Sequence, residues 1–457
     1  MRGTKLKHSA SIFLLALGLG ACTPHQQYRA KVNLCVNSSA TPSAECELHA
    51  LQRFQDSTTK ADQNYLLGFI EFDDQGMAFD RQQVEAVVKA IYDESVGNDL
   101  LITVFVHGWQ HNAAPEDDNI GVFRDLLGRL GELEKNLSAN YQEPPRHVVG
   151  VYLGWRGRSI TTPVIDNLTF WERQNTAQKI GEVGLGEVLS RLEQIKLDKD
   201  SIVRGRNRTR LAIIGNGLGG TAVYSALAQP LKSRFIQTMA PEGAQGDVVG
   251  FGNLVILVNP TISALQFSTL SDMAAARGSY FGSQRPVLAV LTSETDYVTK
   301  MFFPFGRRLT TLFENERKIN RWNAMIKKNE IIDESVTNVT AIGHFPLYET
   351  HYLHTSPDLP VKDQSKLVEN FYKTYRSWIL DYPENQIQFN GSVLERTNHS
   401  AGRNPFLVTQ VNRNLINDHG DISNERLLEF IKELIMISGQ TPKMAETIRS
   451  EVGSLRP

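Results

Sequence analysis

Four short clusters of chemically capable residues follow apolar runs. His107-Gly108-Trp109-Gln110-His111-Asn112 follows the run at 100–106, and Gly215-Asn216-Gly217-Leu218-Gly219-Gly220 follows the run at 211–214. Thr292-Ser293-Glu294-Thr295-Asp296 follows 287–291, and Gly343-His344 follows 339–342. A histidine within reach of a carboxylate makes a general base, and an amide at a helix N-terminus stabilises developing negative charge. His344 with Asp296 is the pairing expected here. His351 is its rival, His354 a weaker one, and Glu294 is the alternative acid. The glycine-rich turn alone would also suit a phosphate. It lacks the Lys-Ser/Thr of a P-loop and a clear ribose-binding carboxylate about 20 residues on.

These clusters need strands to place them. The run 100–106 (LLITVFV) is continuously apolar and rich in β-branched residues, as in a strand buried on both faces. Segments 65–72, 148–153, 211–214, 254–258, 287–291 and 339–342 read as further strands. Val84, Val87, Val88 and Ile91 fall at helical spacing, as do Phe123, Leu126, Leu127, Leu130 and Leu133, and Val188, Leu189, Leu192 and Ile195. Strand and helix alternating over nearly 300 residues predict an α/β fold, a mainly parallel sheet with helices on both faces. Ligands of such sheets bind beyond the carboxyl ends of the strands, which is where the four clusters fall.

A His-Gly-aromatic loop, a glycine-flanked strand-to-helix turn, an acid and a histidine, in that chain order, resemble the α/β-hydrolase superfamily of serine esterases and lipases. The resemblance covers residues 64–380, with insertions around 155–175 and 300–336 and a C-terminal extension, 381–457, packed on the core, in which Phe406-Leu407-Val408 read as strand-like. It implies that Gly215, Gly217 and Gly219 stand at the spacing of Gly-x-Ser-x-Gly. It also implies that the amides of Leu218 and Trp109 form an oxyanion hole, and that Asp296 orients His344. His107, Gly108, Asn216 and Trp155 would shape the substrate side of the loops. His107 also reads as a structural residue that holds the oxyanion loop. Arg156 and Arg158 read as surface charges. Phe302, Phe303, Pro304 and Phe305 mark an apolar insertion that either packs or covers the pocket.

The chain departs from the family at the decisive position. Gly217 stands where the family has its serine, and Asn216 where it often has histidine. Glycine forms no acyl-enzyme, and Thr221 and Ser225 lie too far into the following helix to substitute. The expectation is a pseudo-hydrolase or binding protein for an ester, acyl or peptide ligand. A hydrolase working through a His/Asp base without a serine is the first alternative, and an envelope structural or assembly protein the second. No cofactor or metal is implied.

The N-terminus reads as an address. Arg2, Lys5 and Lys7 precede an apolar run from Ile12 to Ala21, too short for a bilayer span of roughly 20 residues. Leu19-Gly20-Ala21-Cys22 resembles a bacterial lipoprotein signal, which makes 1–21 a signal peptide and Cys22 the lipidated residue. The resemblance places the protein in a bacterial cell envelope, on an outer membrane facing the periplasm if the host is Gram-negative. Residues 22–63 then read as an irregular tether. Cys35 and Cys46 would pair in an oxidising compartment, closing a loop worth about 3 kcal/mol on chain-entropy grounds; two free thiols are the alternative. The 457 residues hold 48 basic and 50 acidic side chains, a net −2. Loss of the three basic residues of the signal leaves 45 against 50, a net −5. That balance argues against a nucleic-acid partner.

Overall fold

The computed structural model describes residues 23–38, 42–56, 63–160, 163–202, 208–240, 243–355, 361, 366–379 and 385–440. Residues 1–21, read above as a signal, and Cys22 lie outside them. The strands, in chain order, are β1 (Lys31–Asn37), β2 (His49–Asp56), β3 (Gln63–Glu71), β4 (Leu100–Val106), β5 (His147–Gly154), β6 (Arg210–Asn216), β7 (Met239–Ala240), β8 (Gly243–Ala244), β9 (Leu254–Val258), β10 (Leu288–Ser293), β11 (Lys318–Asn323), β12 (Lys328–Asp333), β13 (His351–His354), β14 (Gln386–Phe389), β15 (Ser392–Arg396) and β16 (Phe406–Val411). Twelve of them form one sheet in the order β1-β2-β3-β5-β4-β6-β9-β10-β16-β13-β15-β14. From β3 to β13 every neighbouring pair is parallel. The fold is α/β.

The apolar runs explain the layers. All seven residues of β4 are buried. Its Ile102, Val104 and Val106 join a core with the helices Arg81–Gly97, Gly186–Ile202 and Leu218–Gln237, through Val87, Leu189 and Leu227. Leu101 and Phe105 point the other way, to Phe123, Trp378 and Phe430 on the helices Asp118–Tyr141, Leu367–Ile379 and Glu425–Ser438. The two-residue side-chain period of a strand thus feeds two separate cores. The chain fills β3, then β4, then returns to place β5 between them before moving outward through β6. This reversal leaves a crevice at the carboxyl ends of β4 and β6, where two of the four clusters sit.

Three expectations need correction. Residues 22–63 are not an irregular tether: β1 pairs parallel with β2, and β2 antiparallel with β3, so this segment extends the sheet. β1 is an edge strand with only Asn37 buried, so its KVNLCVN has no continuous apolar run to mark it. Cys35 and Cys46 form a disulfide, with Cα atoms 5.5 Å apart, tying β1 to the short turn before β2. Residues 339–342 are not a strand. Asp333 caps a short helix, Glu334–Val339, by accepting from Ser335 N, and a 3-10 turn, Ile342–His344, follows. The interior strand beside β10 is instead β16, in register from Leu288↔Phe406 to Ser293↔Val411. It comes from the stretch read as a C-terminal extension, so the sheet does not stop at 380.

Replacing both Cys35 and Cys46 by serine is expected to lower the unfolding free energy by about 3 kcal/mol, the loop-closure contribution. Urea unfolding of the oxidised chain and the double variant measures it. Equal midpoints would show that the sheet edge holds itself.

Candidate functional site

The glycine turn between β6 and the helix Leu218–Gln237 carries the centre. Gly217 has φ 53° and ψ −118°, a region L side chains rarely adopt. Its N–H donates to Val258 O at 2.8 Å, which fixes the turn against β9. Gly219 is needed for a different reason: a Cβ there would lie 2.1 Å from Val106 O. The backbone therefore makes a sharp strand-to-helix turn with no side chain at its tip. Leu218 is the first helical residue, so its amide has no acceptor within the helix and lies at the positive end of the helix dipole. The Trp109 loop packs on this turn, with Gly108 so close that a Cβ would meet Asn216 O at 2.7 Å.

The histidine at this centre is His419, which the sequence reading did not single out. Its Nδ1 lies 2.9 Å from Asp296 Oδ2, and its Nε2 lies 2.9 Å from the position a Gly217 Cβ would take. Asp296 is fully buried; it also accepts from Val298 N at 3.0 Å and Thr299 Oγ1 at 2.6 Å. Burial pushes its carboxyl up, but the His419 charge and these hydrogen bonds outweigh that and hold it below the ordinary carboxylate range. An ionised Asp296 requires Nδ1 to carry a proton, so in the neutral imidazole the lone pair is on Nε2. That Nε2 is buried and has no hydrogen-bond partner among the described residues.

His344 does not meet Asp296 directly. Its Nε2 lies 2.9 Å from Thr299 Oγ1, whose own proton goes to Asp296. Burial lowers its pKa to about 4, so it is neutral and braces the acid from behind. His351 is further away in function: it lies within β13, its Nδ1 against Thr350 Oγ1 at 2.9 Å, and burial lowers its pKa to about 3. His354 faces Glu395 at 3.7 Å, and Glu294 accepts from Asn412 Nδ2 at 3.1 Å and Arg413 N at 3.1 Å. The pairing expected for His344 therefore belongs to His419. The reason is topological: β16 lies beside β10, so the loop after β16 reaches Asp296.

His107 and Trp155 are buried and brace each other. His107 Nε2 accepts from Trp155 N at 2.9 Å, and the indole N–H donates to His107 O at 3.0 Å. Burial lowers the His107 pKa to about 4. They shape the Trp109 loop and do not line the cleft. Asn216 is a clamp: its Nδ2 donates to Gly420 O at 3.1 Å and Asn119 Oδ1 at 3.3 Å. Asn259 Nδ2 donates to His419 O at 3.0 Å, so two asparagines hold the histidine loop. Arg156 pairs with Asp74.

Beside His419 opens a cleft of about 360 Å³, lined by Trp109, His111, Asn119, Val298, His419 and Asp421 among others. Small-molecule sites begin at roughly this size. Trp109 Nε1 is buried without a partner among the described residues, as is Asn216 Oδ1. The carboxylates of Asp118, Asp418 and Asp421 are at its mouth, and no lysine or arginine is among its lining residues. The described residues hold no group of three or more His, Cys, Asp or Glu arranged for a metal, and no helix long and apolar enough to cross a membrane. No protein family, curated protein or solved structure matches the chain.

The geometry sets two expected outcomes. Gly217→Ala places a Cβ in the disfavoured backbone region and against His419 Nε2, so it is expected to destabilise by about 1–3 kcal/mol. Chemical denaturation reads the change, and an unchanged midpoint would refute the elbow geometry. Asp296 has a lowered folded pKa, so its contribution is present above about pH 4 and lost as pH falls through the lowered value. Asp296→Asn is therefore expected to flatten the acid limb of stability against pH, measured as urea midpoints from pH 7 to pH 3.

Proposed function

We propose that the chain is an α/β-hydrolase-type envelope lipoprotein that binds a carbonyl-bearing ligand (an ester, acyl or peptide group) without forming an acyl-enzyme. The observation that supports this reading is the position of His419 Nε2. It occupies the space a nucleophile would need above Gly217, and its lone pair is buried and unpaired. Buried polar atoms are costly unless paired, so this atom and Trp109 Nε1 favour a partner with a proton donor on one side and an oxygen on the other. The amides of Leu218 and Trp109 would face the carbonyl oxygen. The membrane tie of the reading rests on Cys22.

The Asp296–His419 pair also supports a second reading. The lone pair on Nε2 would draw a proton from water as it attacks the bound carbonyl, while the amides hold the oxyanion. No bond to the protein forms in this step.

Wild-type protein is expected to resist a fluorophosphonate probe, because no nucleophile stands at the elbow. Short-chain and long-chain primary acyl amides, which carry a carbonyl oxygen and an N–H donor, are expected to raise its melting temperature, and His419→Ala is expected to lose that shift. Covalent labelling of wild type at the elbow would overturn both readings. Turnover of p-nitrophenyl esters that survives the probe and disappears in His419→Ala would select the second reading over the first.

A further inference from the structure

The segment after Asp296 turns an apolar face outward. Tyr297, Met301, Phe305, Leu309 and Phe313 recur every fourth residue and are all exposed, Phe305 at 66%, Leu309 at 58% and Phe313 at 99%. The opposite face is anchored: Val298, Phe303 and Gly306 are buried, and the helix Phe303–Thr310 lies so close to Trp171 that a Cβ on Gly306 would overlap its indole. The outward face thus runs along a packed π turn and helix, Val298–Phe302 and Phe303–Thr310, with Tyr297 just before it and Phe313 just beyond. An apolar stripe of this extent on a soluble surface marks something that covers it. Residues 297–318 hold five basic and two acidic side chains, a local excess of positive charge in a chain whose net charge is −2.

The start of the described chain lies nearby. Thr23 N donates to Ser159 O at 2.9 Å, and Ser159 Oγ donates to Glu172 at 2.7 Å. Glu172 is the neighbour of Trp171, whose ring lies 6.2 Å from that of Phe303. Topology places them together independently. Ser159 follows β5 and Tyr297 follows β10, both beyond the carboxyl edge of parallel strands. The residue before Thr23 is Cys22, the expected site of lipidation.

We propose that the 297–313 face docks on an anionic phospholipid bilayer, the same one that the Cys22 lipid enters. The apolar side chains enter the acyl boundary, and Arg308 meets the headgroups together with Arg317 and Lys318, which exchange their exposed ion pairs with Glu334 and Asp333 for lipid phosphates. Val298 lines the cleft and Tyr297 begins the stripe, so the cleft lies beside the membrane surface. The anchoring part of this proposal rests on the lipoprotein reading above.

The test uses the mature, lipidated chain. Cys22 is then blocked and Cys35–Cys46 bonded, so Phe305→Cys supplies a single free thiol for an environment-sensitive NBD dye. Val96→Cys, on the helix Arg81–Gly97 that leads into the opposite, amino edge of β4, is the control. On phosphatidylethanolamine/phosphatidylglycerol vesicles the dye at 305 is expected to shift to the blue and brighten severalfold. Brominated acyl chains are expected to quench it, while the dye at 96 stays unchanged. Identical, unquenched signals at both positions on vesicle-bound protein would overturn the proposal. So would a blue-shifted dye at 305 without vesicles whose signal tracks a dimer in sedimentation, since a second copy then covers the face. Mass spectrometry of the N-terminus separates the two readings. Lipidated protein with a silent 305 dye rejects the docking face and keeps the anchor. Unlipidated protein with a responsive 305 dye, labelled after Cys22→Ala, keeps the docking face and rejects the anchor.

Discussion

A buried carboxylate must find a partner, and here Asp296 finds His419 across 123 residues of sequence. Leaving such a group unpaired costs about 3–5 kcal/mol, more than most single contacts supply. The pairing requires the loop after β10 and the loop after β16 to meet, so those strands must be neighbours, as their register shows. Thr299 and His344 support the acid from behind, while Asn259 and Asn216 hold the loop of the histidine. The arrangement determines which tautomer His419 adopts and where its lone pair points. That direction, towards Gly217, decides what chemistry the cleft can hold.

The central strands were legible because burial on both faces leaves no room for polar residues. The runs at 100–106, 211–214, 254–258 and 287–291 fall within or overlap β4, β6, β9 and β10. The acid and the glycine turn followed directly, since both sit at the ends of those strands. His419 was missed although its strand was visible: 406–408 read as strand-like, but in a tail outside the core. The rule applied to the other strands, to inspect the loop that follows, would have reached His419 from β16. The run 339–342 misled because four apolar-leaning residues fit a strand and a helix end equally well. Capping by Asp333 decided it. The edge strand β1 was hidden for the opposite reason, since only one of its seven residues is buried.

Glycine at the elbow changes the energetics as well as the chemistry. A side chain at φ 53°, ψ −118° stores strain that the rest of the fold must offset. Gly217 removes that strain while the strand, the sharp turn and the helix remain. The close packing of Gly108 and Gly219 on their neighbours shows that the turn is held by contact on every side. The turn therefore keeps its sharp shape with no side chain at its tip. His419 then sits closer to the turn than a side chain there would allow.

The same edge of the sheet carries the cleft and the apolar stripe beside it. Parallel strands bring their carboxyl ends to one side, so their following loops share one surface. The Nε2 of His419, the indole N–H of Trp109, the apolar stripe from Tyr297 and Thr23, the first described residue, all lie there. Elsewhere the fold pairs charges in solvent, as Arg81 and Arg191 do with Glu187 and Glu85. The cleft and the apolar stripe are therefore built from the loops of one edge. The order of the strands, more than any one side chain, is what makes that edge.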